Sequence, residues 1–350
     1  MKKQIKYGLI GLILLFGTTG CTTYIKDDTG KTLRNEKTGQ TLVENILCRP
    51  TDEESIKLYE ANGYDLSELP YCVCNENTKV KEKGETSDNP EEKQENAEKT
   101  SEETSEVKEE NNKCEEFTVT SGKYEGLWTS IFVKPLAWVI IFFGKLTSSF
   151  GLGLIITSIL IRLIVFPLTR KSTMQAENMK KIQPELDRLE KKYAGKDQND
   201  REVMMMKSQE MMTIYKKYNI NPISSCLPAF LQLPLFIAFL DAINRTPAIF
   251  EEVFLGFHLG TTPMTGIQSG NWLYIILTIL VALTTYFSFA KAQNNTGNEM
   301  MAKQSKMMMN IFTIMIIVMS VFMSSALNIY WIVSNMFTLG QNYLVKRSMK

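Results

Sequence analysis

Apolar and polar residues come in long blocks along this chain. A short apolar run at residues 8–17 follows Lys2, Lys3 and Lys6, and residues 22–126 are then largely polar. From Leu127 the apolar blocks return. Residues 135–168 carry Lys145 as the one charge before Arg162. That run is longer than the ~20 residues one membrane span needs. Its break is predicted at KLTSSFG, residues 145–151, where Ser and Gly loosen a helix. Before the break, Trp128, Ile131, Phe132, Leu136, Trp138, Val139, Phe142, Phe143 and Leu146 fall largely on one helical face. This predicts an interfacial amphipathic helix over 128–148, within a segment 124–150, with Trp128 and Trp138 at headgroup level. The first span follows at 151–168, and four more are predicted at 222–243, 272–290, 307–323 and 326–345.

Between the first two spans the pattern turns polar. Met174, Met179, Ile182, Leu186, Leu189 and Tyr193 recur every three to five residues, as do Met204, Met205, Met211, Met212, Tyr215 and Tyr218. AGKDQND at 194–200 supplies a turn. Residues 170–219 therefore predict two antiparallel helices, a hairpin outside the membrane. The fold class is an all-α membrane protein. Lys and Arg cluster at Arg170–Lys171, Lys216–Lys217, Lys291, Lys303, Lys306 and Lys346–Arg347, whereas loop 244–271 has Arg245 against Glu251 and Glu252. The positive-inside rule then places the hairpin and C-terminus in the cytoplasm and loop 244–271 outside. The chain shows no internal repeat of the kind secondary transporters carry.

The N-terminus reads as an export signal over 1–20. Thr18-Thr19-Gly20 before Cys21 resembles the lipobox of bacterial lipoproteins, so Cys21 is the expected lipidation site, at an extracellular, lipid-anchored N-terminus. An uncleaved signal anchor is the plainer reading. Residues 21–123 are expected to be an acidic, largely disordered extracytoplasmic segment. Within it, 48–74 has some helical spacing through Ile56, Tyr59, Leu66 and Leu69 and could be a small cysteine-bounded unit. Residues 76–113, rich in Glu, Lys, Ser and Asn, read as a flexible tether. Cys48, Cys72, Cys74 and Cys114 allow three pairings, with zinc as a rival to disulfides.

Charge and chemistry narrow the function. Formal net charge is +1, yet residues 22–128 hold 26 Asp/Glu against 14 Lys/Arg, so the rest of the chain is basic. Such asymmetry fits two compartments. His258 is the sole histidine, no HExxH exists, and FGKLTSS at 143–149 fails as a phosphate loop because Val139 stands where glycine is required. No catalytic residue, cofactor, metal or specific nucleic-acid recognition is expected, so the chain is not read as an enzyme. Arg162 is the sharpest candidate, because a charge at membrane depth costs about 2.5–3.5 kcal/mol on insertion scales. It could snorkel from about 9 Å below the helix end at Pro167–Leu168 or face a wet cavity. Gln232, Asp241, Asn244, Thr284, Thr285, Ser288, Ser324, Ser325, Asn328, Asn335 and Gln341 add polarity to the other spans. Ser and Thr commonly serve as helix–helix glue. Clusters Met204–Met206, Met211–Met212, Met300–Met301 and Met307–Met309 suit surfaces that accept varied apolar partners, although any single Met fits an ordinary core.

Five blocks together resemble the YidC/Oxa membrane protein insertases: TSILIRLIVFPL (157–168), KKIQPELDRLEKKYAGK (180–196), MMTIYKKYNINP (211–222), NPISSCLPAFLQLPLFIAFLDAI (221–243) and ALNIYWIVSNMFTLGQNYLVKR (326–347). The resemblance covers about residues 124–348. It implies five core spans within 151–346 around a hydrophilic groove that opens to the cytoplasm and laterally to lipid. Arg162 would be its groove arginine, with Gln232, Ser288, Trp331, Asn335 and Gln341 as further groove residues. The implied partners are nascent membrane proteins, the lipid bilayer, the ribosome and the Sec translocon. Two departures stand out: Ser324-Ser325-Ala326 replaces a common Pro-(Ala/Ser)-Gly, and Ser288 stands where many relatives have Gln. A small-solute transporter or channel is the alternative reading.

Overall fold

The computed structural model describes residues 22–27, 29–36, 39–74, 114–197, 200–221, 227–293 and 299–348. The expected signal peptide, the lipidation site Cys21, the tether at 76–113 and Cys226 lie outside them.

The described residues are mostly helical. Helix α1 spans Glu53–Ala61. A π-turn at Thr129–Val133 runs into α2, Lys134–Thr147. Then come α3 (Phe150–Lys181), α4 (Gln183–Tyr193), α5 (Arg201–Lys217) and α6 (Leu227–Asn244). A short turn α7 (Pro247–Phe250) precedes an antiparallel pair, β1 (Val253–Phe254) and β2 (Phe257–His258). Helices α8 (Pro263–Gln268), α9 (Tyr274–Gln293), α10 (Glu299–Phe322) and α11 (Ser325–Ser348) complete the chain. The predicted apolar spans fall on α3, α6, α9, α10 and α11. By length and apolarity alone, two described stretches could cross a membrane, Thr129–Thr147 and Phe150–Met179, while Leu231–Asn244, Tyr274–Phe289 and Asn310–Phe322 are shorter apolar helices.

Of the residues expected on one apolar face over 128–148, Ile131, Phe132, Trp138, Phe142 and Leu146 are exposed, whereas Leu136 and Trp128, the latter expected at headgroup level, are buried. The buried face of the π-turn and α2 includes Val133, Leu136, Ala137, Ile140, Ile141 and Gly144. Helix α2 is apolar on both faces, so periodicity alone could not tell which side packs on the protein. It folds back on α3 through Ser148, which sits at φ 53°, and the two helices meet closely at Gly144 and Gly153. A Cβ on Gly153 would lie 2.6 Å from the Gly144 nitrogen, so only glycine permits this approach.

Helix α3 runs for 32 residues through Pro167, about 48 Å, and joins the span to the hairpin without a break. The expected first hairpin helix is instead cut at Ile182, where Pro184 starts α4. Asp200 caps α5 by accepting from the Glu202 N–H at 2.9 Å. The hairpin core is Ile182, Leu186, Tyr215 and Ile220, with Met179, Met211 and Ile214 against it. Met204, Met205, Met206 and Met212 are exposed, so the core reading fails for them. Two ion pairs tie the hairpin, Lys192–Glu210 at 2.7 Å and Lys217–Glu185 at 2.9 Å. Hydrogen bonds from Tyr218 and Lys217 hold the Glu185 carboxyl below its usual range, and those from Lys192 and Tyr193 do the same for Glu210.

Within 21–123, expected to be largely disordered with 48–74 as a possible cysteine-bounded unit, residues 22–74 fold in the structure. Bridges Tyr24–Val43, Lys26–Thr32 and Arg34–Thr41 build a small antiparallel layer against α1. Ile25, Leu42, Val43, Ile46 and Tyr59 form its core. The Tyr59 hydroxyl donates to the Val43 carbonyl at 2.9 Å, and burial pushes its pKa up to about 12. Disulfides Cys48–Cys72 and Cys74–Cys114 staple it, and no metal-ligand cluster occurs among the described residues. Few apolar residues are needed here, because cross-links cut the conformational entropy of the unfolded chain.

Candidate functional site: a charged polar centre between α3, α6 and α11

Helix α3 presents Arg162 about 18 Å along from Phe150. The guanidinium Nη2 donates to the Gln232 Oε1 at 2.6 Å, and Nε donates to the Ser334 hydroxyl at 3.2 Å. Gln232 in turn donates through Nε2 to the Tyr330 hydroxyl at 3.3 Å. Tyr330 and Ser334 are four apart on α11, so they share a face and are both buried. Phe239 stacks on Tyr330 at 4.1 Å between ring centres and fixes it from α6.

Every partner of Arg162 among the described residues is neutral. Net hydrogen bonds to a charged group are worth about 1.5–3 kcal/mol each. Two such bonds make a partly buried cation tolerable without cancelling its charge. The guanidinium therefore keeps a field that a passing anion can use.

A second polar group lies between α9 and α11. Thr285, fully buried, accepts from Trp331 Nε1 at 3.1 Å and from Asn335 Nδ2 at 2.9 Å. Ser288 donates to the Asn335 carbonyl at 3.3 Å. Phe236 meets Trp331 edge-on at 5.2 Å, which links this group to α6. Further along α11, Gln341 accepts from Thr169 at 3.1 Å, and Asn342 accepts from Thr173 at 3.4 Å.

Of the six expected groove residues, the structure brings Arg162 and Gln232 into direct contact. Trp331, Asn335 and Ser288 gather instead around Thr285, and Gln341 pairs with Thr169. Ser288 is too short to reach beyond the neighbouring backbone. Sequence reasoning missed Tyr330 and Ser334 as direct parts of the centre. Their i, i+4 spacing was a signal, yet tyrosine and serine are ordinary in such helices. Asp241 and Asn244 belong elsewhere, at the opposite end of α6. There Asp241 accepts from Thr22 at 2.7 Å and from Trp128 Nε1 at 3.2 Å, and Asn244 donates to Tyr24 at 3.3 Å.

A helical bundle with long exposed apolar faces and a partly buried cation held by neutral groups has the character of a membrane protein. Residues 142–350 match the family described as 60Kd inner membrane protein. Membrane protein insertase YidC 2 of Bacillus anthracis is 36% identical over 225 residues, which is 64% of this chain and 83% of that protein. Membrane protein insertase MisCA of Bacillus subtilis (strain 168) is 36% identical over 220 residues, 63% of this chain and 79% of that one. A solved structure of an active YidC insertase is similar at a TM-score of 0.46 and 24% identity, covering 64% of this chain and 48% of that one. The chain belongs to the YidC/Oxa family. The N-terminal unit at 22–74 lies outside the matched region.

Proposed function

We infer that this chain inserts nascent membrane proteins into the bilayer and assists their folding. The observation that carries the reading is Arg162, partly buried and bound only by Gln232 and Ser334 among the described residues. Five spans, α3, α6, α9, α10 and α11, surround a hydrophilic groove open to the cytoplasm and to lipid. A polar or acidic client tail enters the groove and is drawn by the guanidinium, while the adjoining apolar helix slides into lipid. Lowering the local hydration barrier shortens the apolar path that the tail must cross. The Thr285 and Gln341 groups line the same helix, α11, and offer neutral partners along that path.

The cytoplasmic hairpin receives clients or delivery factors, including the ribosome, on the exposed Met204–Met206 and Met212 surface. The protein works alone or beside the Sec translocon. The N-terminal unit is extracytoplasmic and anchored through lipid at Cys21, α2 lays its exposed apolar stripe into the outer interface, and the C-terminus is cytoplasmic. Depletion of a host's own insertase, with rescue by this chain, tests the function. The chain should restore insertion of single-span clients. A correctly inserted protein that leaves those clients outside the membrane would contradict it.

A further inference from the structure

The connection between α6 and α8, residues 245–262, carries three charges that the polar centre does not use: Arg245, Glu251 and Glu252. Each is engaged, and each holds a different part of the chain. Arg245 is 1% exposed. It donates to the Asn45 carbonyl and to the Glu125 carboxylate, and its own carbonyl accepts from the Leu47 N–H at 2.8 Å. Glu251 accepts from the Thr51 N–H at 2.8 Å, from the Thr51 hydroxyl, and from the Asp52 N–H at 3.2 Å. Those groups lead into α1 of the N-terminal unit. Glu252, the next residue, reaches the opposite way. It accepts from the Ser149 hydroxyl at 2.5 Å, from the Phe150 N–H, and from the Gly151 N–H at 3.1 Å. It thus caps α3, the helix that bears Arg162, with negative charge at the positive end of the helix dipole.

The same loop holds α11. The Leu259 carbonyl accepts from the Ala326 N–H at 2.9 Å, and the Thr261 carbonyl accepts from the Ser325 N–H at 2.9 Å. Two of the three helices of the charged centre, α3 and α11, therefore start on residues of one loop. The apolar side of the joint is continuous too. Leu47, Cys48, Cys72 and Phe117 belong to the same buried cluster as Ile249, Phe250 and Leu259.

We propose that the N-terminal unit is a fixed cap on the core, latched by Arg245 and Glu251, and that the adjoining Glu252 couples its docking to the helix bearing Arg162. Glu251 and Glu252 are joined by one peptide bond, so a shift of the backbone at Glu251 is passed to Glu252. Release of the cap frees Glu251, relaxes the turn, and weakens the Glu252 cap on α3. The cap thereby stiffens the outer ends of the helices that position the charged centre. The disulfide Cys48–Cys72 lies inside the joint, so reduction loosens the same latch.

The test uses the full chain in lipid vesicles, as wild type, Glu251→Ala and Glu252→Gln. Two readouts are taken: tryptic cleavage after Lys57, and hydrogen exchange of amides 150–152. In the wild type both regions should be protected. Glu251→Ala should speed cleavage of the cap at least about tenfold and also speed exchange at 150–152, which Glu251 does not touch. Dithiothreitol on the wild type should act in the same direction. Glu252→Gln should speed exchange at 150–152 while the cap stays docked, which shows that α3 can loosen without unfolding. Rapid cap cleavage in the wild type, or cleavage unchanged in Glu251→Ala, would overturn the latch. A released cap with unchanged exchange at 150–152 would overturn the coupling.

Discussion

Two arginines in this molecule are buried by different means, and the contrast separates a neutralised cation from one that is only solvated. Arg245 lies directly after α6 with a carboxylate, a backbone carbonyl and a threonine hydroxyl around it. Its charge is neutralised where it stands. Arg162 lies between helices with an amide oxygen and a serine hydroxyl, and no carboxylate among the described residues pairs with it. Its geometry is satisfied while its charge is left over. A neutralised cation holds parts together; a merely solvated one remains able to attract something that arrives later.

The largest expected effect tests the fastening side. Arg245→Ala strands Glu125 and the Asn45 carbonyl, and breaking a buried pair from one side costs about 3–5 kcal/mol. Arg162→Ala removes no ion pair, and the loss of its two hydrogen bonds is offset by relief from holding a partly buried cation, so its net cost should be clearly smaller. Unfolding of the two variants in matched detergent should therefore separate clearly. Equal losses would erase the distinction between the arginines.

Next in size is the amide that solvates the centre. Gln232→Leu removes the 2.6 Å acceptor and should destabilise by about 1–3 kcal/mol. Adding Arg162→Ala to it should recover part of the loss, because the unsatisfied cation is gone. A double-mutant cycle reads this as a coupling energy, expected at about 1 kcal/mol or more. Strictly additive losses would place Arg162 outside the influence of Gln232.

The hairpin offers a smaller contrast among its methionines. Met211 packs against the buried core, whereas Met204 and Met205 are exposed. Met211→Ser should loosen the hairpin by about 1–2 kcal/mol. Met204→Ser with Met205→Ser should leave its stability within about 0.5 kcal/mol while lowering cross-linking to apolar client segments. Unchanged cross-linking would remove the client-receiving role from that surface.

The smallest effect is acid sensitivity. Glu185 and Glu210 are held below the usual carboxylate range by their tyrosine and lysine partners. A depressed carboxylate stabilises the fold above its unfolded pKa, and that contribution fades as pH falls through the folded value. Spin labels at Asp187 and Thr213 should thus show a broader distance distribution in acid than at neutral pH. Glu185→Gln with Glu210→Gln should abolish the difference.

Much of the architecture could be read from the residues, for a physical reason. Apolar blocks must be buried or meet lipid, so α3, α6, α9, α10 and α11 announced themselves. Arg162 was equally visible, because a charge within GLGLIITSILIRLIVFPL needs a partner. Which partner it takes depends on how α3, α6 and α11 face one another. Gln232 stood out as an amide in an apolar run. Tyr330 and Ser334 did not, since neither is unusual in a helix. Trp331 and Asn335 sit one position further round α11 and therefore turn to Thr285 instead. The N-terminal unit was the least legible part. Its core residues, Ile25, Leu42, Val43, Ile46 and Tyr59, are sparse, and its stability leans on cross-links and on a loop some two hundred residues away. Arg245, Glu251 and Glu252 read as simple loop charges until their partners were in view.

The central claim is that the leftover charge of Arg162 acts on client tails. It is tested most directly by reconstituting wild type and Arg162→Ala in vesicles and measuring insertion of one single-span client. Only the charge of the client's translocated tail is varied, from acidic through neutral to basic. The ratio of wild-type to alanine activity should rise with tail acidity, by about tenfold between the ends of the series, with Arg162→Lys intermediate. A ratio that stays constant across the tails would contradict the account.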